Sequence, residues 1–257
     1  MFETIFIQPL ANLLVIFTNI FGSLGWGIIV ITLLIKILLI PVMIPSLKSG
    51  EKMKQLAPKL EKLKKKHEGD KEKLAQAQMA LYRSEGVNPA AGCLPSIIQL
   101  VILLALFQVF NRVLNPESID QLAKMLYSGI SLPPGGINFS FWYLDLTSPD
   151  VIAGRLPGVF LALSAVAQIL TARLSSPTIK GAKVSAQKTP SKGDDMMVSM
   201  QKQMTFLMPL MTIIIGFRFP SGLTLYWFVF SLAGLVQQYI IKRNTDLTAS
   251  KRQVKHG

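Results

Sequence analysis

Apolar residues in this chain are gathered into blocks of about twenty, and polar stretches separate the blocks. A helix of that length spans the hydrocarbon core of a bilayer, which is ~30 Å thick. This segregation predicts an all-α membrane protein with five transmembrane helices, a cytoplasmic helical hairpin and an N-terminal interfacial helix. The predicted spans are residues 23–46, 94–114, 151–174 and 202–218, with a last one in 219–241 that follows the turn sequence FPSG.

The basic residues are divided unequally among the segments between the spans. Eleven of the 27 Lys and Arg residues lie in 47–93, five lie in 175–202, and five lie in the tail 242–257. The segments assigned to the other side hold three: Lys124, Arg155 and Arg218. Positively charged loops remain in the cytoplasm. We therefore predict a multi-pass protein of the cytoplasmic membrane of a prokaryote, with its N-terminus outside and its C-terminus inside. The segment 175–201 is then a cytoplasmic linker.

Residues 4–21 are also apolar and allow two interpretations. They could form a sixth span, which would place the N-terminus inside. The segment is short, contains Pro9 and carries Glu3 rather than basic residues. These features favour an amphipathic helix that lies in the outer membrane interface, within residues 1–22. Because a basic n-region and a cleavage site are lacking, we expect no cleaved signal peptide.

The first cytoplasmic segment, 47–93, has two stretches of helical periodicity separated by the sequence HEGD. Each stretch has a narrow apolar stripe and a polar remainder, which predicts an antiparallel helical hairpin. The stripe residues are Met53, Leu56, Leu60 and Leu63 in the first arm, and Leu74, Ala77, Leu81 and Tyr82 in the second. The first arm ends in a run of lysines that is either a solvated face or a surface for docking a partner. The candidate docking residues are Lys62, Lys64, Lys65 and Lys66.

Lys36 lies about halfway along the first predicted span. A charge at the centre of a bilayer costs roughly 2.5–3.5 kcal/mol on insertion scales, so it persists where it is paired or hydrated. The acidic residues of the chain lie outside the predicted spans, which favours a hydrated cavity between the helices. A lipid-facing, snorkelling lysine remains the alternative. The candidate polar lining of the cavity is Thr32, Gln99, Gln108, Asn111, Gln168, Tyr226 and Trp227.

Methionines recur at helical spacing at the fourth span: Met200, Met204, Met208 and Met211. Methionine side chains are flexible and polarizable, so such a face adapts to varied apolar partners. Met204 and Met208 are therefore candidate substrate contacts, although ordinary packing would give the same pattern. About sixteen residues reach only ~24 Å, which favours local thinning of the bilayer around this span.

The residue types needed for catalysis or metal binding are missing at the required spacing. The spans hold no Asp pair and no Ser with His, and no cluster of Cys, His, Asp or Glu has metal-ligand spacing. The single cysteine, Cys93, excludes an internal disulfide. We expect neither an enzyme nor a cofactor. A small-solute transporter or channel remains an alternative, because it would also use a buried charge, but no internal repeat of the kind common in transporters is evident.

Four stretches are specific in combination. They are GWGIIVITLLIKILLIPV around Lys36, ALYRSEGVNPAAGCLPSIIQ at 80–99, QILTARLSSP at 168–177, and QKQMTFLMPLM followed by FRFPSGLTLYW, which ends at Trp227. Over about residues 20–245 the chain resembles the YidC/Oxa/Alb family of membrane protein insertases. The resemblance implies a five-helix core with a positively charged hydrophilic groove that receives nascent membrane proteins and releases their helices into lipid. Lys36 stands where the family usually has arginine.

The resemblance also implies nascent membrane proteins and membrane lipids as partners. It leaves a ribosome, a targeting receptor and a Sec-type translocon open as further partners. The bacterial members with a large periplasmic domain differ from this sequence, in which we expect none.

Overall fold

The computed structural model describes residues 1–88, 94–114, 118–154, 156–175, 207 and 209–256, and most of them are helical. The prediction of an all-α protein is therefore confirmed. A π-helical turn at Glu3–Ile7 leads into the first of the eight helices found among these residues. They are α1 (Gln8–Phe21), α2 (Leu24–Lys66), α3 (Lys71–Ser84), α4 (Leu94–Val113), α5 (Ile119–Met125), α6 (Val159–Ser175), α7 (described at 209–216) and α8 (Ser221–His256).

Two minimal hairpins lie between α5 and α6. β1 (Ser140–Phe141) pairs with β2 (Leu144–Asp145), and β3 (Val151–Ile152) pairs with β4 (Leu156–Pro157), both antiparallel. The predicted third span began at residue 151, but the helix begins at Val159. Val151 and Ile152 instead form one strand of the second hairpin. Hydropathy alone does not distinguish a short apolar strand from the first turns of a helix.

Two predicted boundaries fall inside continuous helices. α2 extends through the first predicted span and the first hairpin arm as one helix of 43 residues, despite Pro41, Pro45 and Pro58. α8 likewise runs from the fifth predicted span into the basic tail. A proline inside a helix removes one backbone hydrogen bond and crowds the preceding turn. All three prolines are exposed, where solvent or lipid rather than a packed neighbour accommodates the distortion.

Three helical stretches in the described residues are long and apolar enough to cross a membrane: Glu3–Phe21, Leu24–Ser46 and Ser221–Ile241. Two shorter apolar helices, Ile97–Val113 and Val159–Leu174, accompany them. The chain is therefore a multi-pass membrane protein by the length and composition of its helices. The predicted fourth span, 202–218, lies partly outside the described residues, as do Met204, Met208 and the linker from residue 176 onward.

The chain forms two compact units. The first draws on Met1–Leu38, Leu100–Leu174 and the described part of Thr205–Gly257; the second is described within Leu39–Gln99. The core of the first unit is built from side chains of several helices that are fully buried. They include Leu14, Ile28, Ile31, Leu106, Leu161, Leu225 and Tyr226.

In the second unit, residues of α2, of α3 and of the segment just after α3 share one apolar cluster of Met53, Leu56, Leu60, Tyr82 and Val87. The turn between the two helices ends at Asp70, whose side chain accepts a hydrogen bond from the Lys73 amide at 3.0 Å. This hydrogen bond lowers the pKa of the Asp70 carboxyl and caps the start of α3.

α1 and α2 approach each other closely after a sharp reversal. Gly22 has φ of +69°, a left-handed conformation that ends α1 without the steric cost a side chain would bring. Gly27, on the first turn of α2, lies against α1, where an added Cβ would be 2.7 Å from the Thr18 hydroxyl oxygen. The pairing of these helices therefore requires a residue without a side chain at position 27.

The loop around residues 145–150 satisfies the backbone at the start of two helices. The carbonyls of Ser148 and Leu146 accept hydrogen bonds from the amides of Ser221 and Gly222, at 2.7 and 3.1 Å. The side chain of Asp150, only 1% exposed, accepts from the Leu161 amide at 2.8 Å. Because the first amides of a helix have no partner within it, this loop fixes the starts of α6 and α8.

Asp150 also accepts a hydrogen bond from the Tyr143 hydroxyl at 2.8 Å. Burial, with a smaller effect of the Asp150 hydrogen bond, raises the pKa of Tyr143 to about 12. The phenol therefore remains a donor throughout the physiological range.

We expect Asp150→Ala to lower the free energy of unfolding by about 1–3 kcal/mol, mainly because it leaves the buried Leu161 amide without an acceptor; the Tyr143 hydroxyl, on a half-exposed residue, also loses its acceptor. Tyr143→Phe removes only one of these hydrogen bonds and should cost less. Thermal unfolding in one detergent measures both, with the exposed Asp120→Ala as control. Equal melting temperatures for Asp150→Ala and Asp120→Ala would contradict a capping role for Asp150.

Candidate functional site

Lys36 lies on the buried face of α2. Ile28, Thr32 and Ile35 are buried on that face, whereas Leu33 and Ile37 are exposed on the opposite one. Lys36 itself is only 6% exposed. The i, i+3, i+4 spacing of an amphipathic helix therefore places the lysine among the other helices of the first unit. This position argues against the lipid-facing alternative.

The Lys36 ammonium lies over an aromatic ring of α8. Its Nζ is 3.6 Å from the centroid of the Phe230 ring. One turn further along α8, Gly234 leaves room for the ammonium, since a Cβ at that position would be 3.7 Å from Nζ. Within the described part of the chain, Lys36 makes no ion pair. A buried cation is thus held by the face of a neutral ring, a cation–π contact.

Thr32 and Tyr226 line the same region and are fully buried. The Thr32 hydroxyl donates to the Ile28 carbonyl at 2.6 Å, so its proton is used within α2 while its oxygen can still accept. The Tyr226 ring lies 5.8 Å from the Phe230 ring. Trp227, the next residue, is partly buried.

Gln168 joins three helices by hydrogen bonds. Its Nε2 donates to the Ser231 hydroxyl oxygen at 3.4 Å, and its Oε1 accepts from the Thr212 hydroxyl at 3.1 Å. The amide therefore links α6 to α8 and to α7. Ser231 follows Phe230 directly, so this polar link and the ring that holds Lys36 occupy adjacent positions on α8.

The remaining predicted residues of the cavity lie elsewhere. Gln99 is partly buried in the second unit. Gln108 and Asn111 line a different cavity, of about 470 Å³, between the end of α4 and the start of α8. That cavity also contains Arg112, which pairs with Glu3 at 2.9 Å. Gln108 and Asn111 lie near the end of α4, close to Arg112. Their spacing in the sequence could not indicate which cavity their side chains line.

Of the four candidate docking lysines, Lys62, Lys65 and Lys66 are exposed at the end of α2. Lys65 lies 3.5 Å from Glu61, one turn earlier. The side chain of Lys64 lies outside the described residues, as do Met204 and Met208. Met211, the one described residue of the methionine stripe, is exposed. Among the described residues, no group of His, Cys, Asp and Glu could hold a metal ion.

Four residues of this region were not predicted from the sequence: Phe230, Gly234, Thr212 and Ser231. A phenylalanine in an apolar helix carries no signal that separates it from ordinary core residues. Gly234 did carry a signal, because an isolated glycine inside a helix often has a packing reason.

Comparison with known proteins identifies the family. The family described as 60Kd inner membrane protein matches residues 16–249. A protein of Fusobacterium nucleatum named membrane protein insertase YidC is 37% identical over 86% of this chain and 87% of its own length. Membrane protein insertase YidC 2 of Bacillus anthracis is 33% identical over 96% of this chain and 82% of its own length.

Longer relatives match over part of their length. Membrane protein insertase YidC of Syntrophobacter fumaroxidans is 33% identical over 94% of this chain and 38% of its own length. Among solved structures, an active YidC insertase with its first transmembrane domain resolved matches with a TM-score of 0.58 and 25% identity. The match covers 90% of this chain and 46% of that one.

These relatives are named insertases rather than enzymes, in agreement with the prediction that the chain is not an enzyme. The match over most of the chain, together with the motifs around Lys36 and Trp227, shows that the chain belongs to the 60Kd inner membrane protein family, the YidC/Oxa/Alb family that its sequence resembles.

Proposed function

We propose that this chain is a membrane protein insertase that receives nascent membrane proteins at a positively charged site within its helices and releases them into the bilayer. One observation carries the proposal. A lysine is buried in an apolar span without an ion pair among the described residues, in a chain whose relatives are named insertases. A cation that is not neutralised by the protein remains available to a guest.

The proposed site is a groove around Lys36 that is hydrated when a guest enters; in the structure, without a guest, the lysine is only 6% exposed. Its polar contributors on the first unit are Thr32, Gln168, Tyr226 and Trp227, and we include Gln99, Met204 and Met208 as further contacts of the guest. The guest's extracytoplasmic segment is polar, and each unsatisfied polar group costs several kcal/mol in hydrocarbon. Water and these side chains lower that cost while the segment crosses.

The charge acts by attraction. Lys36 draws carboxylates of the guest's polar segment toward the groove, because opposite charges interact more strongly in a medium of low dielectric constant than in water. The guest's apolar helix meanwhile leaves sideways into lipid, with hydrophobic partitioning and the membrane potential as the drive. This sequence of events requires no covalent step and no cofactor.

The proposed topology has five spans, with the N-terminus outside and the C-terminus inside. The contacts of α1 support an interfacial position for this helix. Glu3 pairs with Arg112 at the end of α4, the Tyr127 amide donates to Asn12 at 2.7 Å, and Asn19 donates to the Ser131 carbonyl at 2.8 Å. Residues near both ends of α1 therefore contact the segment 127–131, and Glu3, in the π-helical turn before α1, pairs with Arg112 of α4. A loop between two spans lies on one side of the membrane. A helix that contacts such a loop near both of its own ends therefore lies parallel to the membrane surface on that side.

To test the role of the charge, Lys36 is replaced by Arg, Gln and Glu. We expect Arg to retain most of the insertion of a guest with an acidic extracytoplasmic segment, Gln to lower it about tenfold, which corresponds to ~1.4 kcal/mol, and Glu to lower it further by repulsion. Protease protection of the guest in proteoliposomes measures insertion. The control is the same guest with its acidic residues changed to Asn and Gln.

If the Lys36→Glu variant inserts the acidic guest as well as the unchanged protein does, attraction of acidic segments is excluded. Solute flux through the same proteoliposomes, in the absence of guest insertion, would instead support the transporter alternative.

Impermeant thiol labelling tests the position of α1. In a Cys93→Ser background, which removes the only cysteine, Ile5→Cys and Ile20→Cys place thiols at two exposed positions near opposite ends of the segment. An interfacial helix predicts that both react from outside intact cells. Labelling of residue 5 only after the cells are permeabilised would show instead that the segment spans the membrane.

The basic end of α2 offers a surface for ribosomal RNA, whose phosphates bind lysine in a strongly salt-dependent manner. We expect the triple change of Lys62, Lys65 and Lys66 to Gln to weaken co-sedimentation with ribosome–nascent-chain complexes at least tenfold and to flatten its salt dependence. The matched control changes Lys52, Lys59 and Lys73 to Gln, which removes equal charge elsewhere on α2 and α3. Equal losses in both triple variants would indicate that only net charge matters.

A further inference from the structure

The ring of Phe230 has no role in the proposed function so far, although it makes the closest described contact with the Lys36 ammonium. We infer that Phe230 is a positioning residue that holds the ammonium while no guest is bound, and that it thereby sets how acidic a guest must be to engage the site. The inference rests on the proposed function and adds to it a residue that determines specificity.

The geometry is that of a strong cation–π contact. Nζ lies over the ring at 3.6 Å from its centroid, well inside the ~6 Å over which such contacts act. Lys36 is also almost completely buried, and removal of water strengthens the attraction between a cation and a ring. Gly234 completes the position, because a Cβ there would already contact Nζ at 3.7 Å and a larger side chain would compete with it for space. The ammonium thus lies in a slot formed by two residues one turn apart on α8.

A neutral ring suits this role better than a carboxylate would. A buried carboxylate would neutralise the lysine and bind it strongly enough to exclude a guest. The ring stabilises the ammonium without cancelling its charge, so a guest carboxylate can displace the ring. The apparent affinity for a guest is proportional to the fraction of lysine that is not held by the ring. Guests with acidic segments overcome this competition, and neutral guests have nothing with which to displace the ring.

Phe228 provides a matched control on the same helix. Its ring packs edge-on against Phe160 at 5.2 Å and makes no described contact with Lys36. Fluorination of Phe228 therefore changes the electronics of a ring that packs between α6 and α8, without acting on the ammonium.

The test replaces Phe230 with phenylalanine carrying one, two or three fluorine atoms, introduced by stop-codon suppression. Fluorine withdraws electrons from the ring face and weakens the cation–π contact with little change in shape. We expect the guest concentration that gives half-maximal insertion to fall stepwise for a guest with an acidic segment, by on the order of tenfold for the trifluoro ring. The same series at Phe228, and a neutral guest with the Phe230 series, should show no trend.

A spectroscopic measurement tests the contact itself. The ¹⁹F resonance of singly fluorinated Phe230 should shift when Lys36 is changed to Gln and when an acidic guest is bound, whereas that of fluorinated Phe228 should not. A fluorination series at Phe230 that shows no trend, or one that weakens engagement of acidic guests, would overturn the inference. If Lys36→Gln itself leaves acidic guests unaffected, the charge mechanism of the proposed function fails, which is a separate outcome.

Discussion

A cation buried among apolar helices must recover the free energy that it loses by leaving water, and how it does so decides whether its charge can act on anything else. In this protein the Lys36 ammonium lies against the face of Phe230 and in the space that Gly234 leaves open. A salt bridge would offset desolvation more completely, but it would neutralise the charge. The ring offsets only part of the cost. The charge is therefore not cancelled, which the proposed attraction of a guest carboxylate requires.

The loop around residues 145–150 provides the frame for this contact. Backbone groups at residues 146–150 and the Asp150 side chain satisfy the first amides of α6 and α8. α8 is thus fixed at its start, about eight residues before Phe230, a distance of ~12 Å along the axis. Further along, the hydrogen bonds of Gln168 join α8 to α6 and α7. The ring is held by side-chain contacts on a helix with a fixed start, which limits how far it can move from Lys36.

The features that could be predicted from the sequence are those whose signal is local. Lys36 could be singled out because a charge is rare within an apolar span, and Thr32, one turn earlier, was predicted to line the same cavity. Phe230 could not be singled out, because nothing in the sequence of an apolar helix distinguishes a phenylalanine that contacts a cation from one that contacts leucine. Asp150 resembled any loop carboxylate until the fold placed it at the start of α6. Val151 and Ile152 were assigned to a helix because hydropathy records apolar residues without their backbone conformation.

The identity of the cation bears on the same contact. The resemblance to the family implies arginine at the position that Lys36 occupies. Guanidinium is planar, carries five donors and can stack on a ring while it binds a carboxylate through its edge. An ammonium is a compact point charge, and Lys36 in its slot is only 6% exposed, so under the proposal a guest carboxylate reaches Nζ only after the ammonium leaves the ring. In the proposed mechanism, contact of Lys36 with Phe230 and contact with a guest are therefore alternatives, and the ring acts as a competitor. With arginine at this position the same ring would support the bound state. Under the proposal, the slot between Phe230 and Gly234 would hold a lysine in competition with a guest, whereas it would support an arginine that is bound to a guest. Lysine in place of the arginine that the resemblance implies would then keep the positive charge and change how readily a guest engages it.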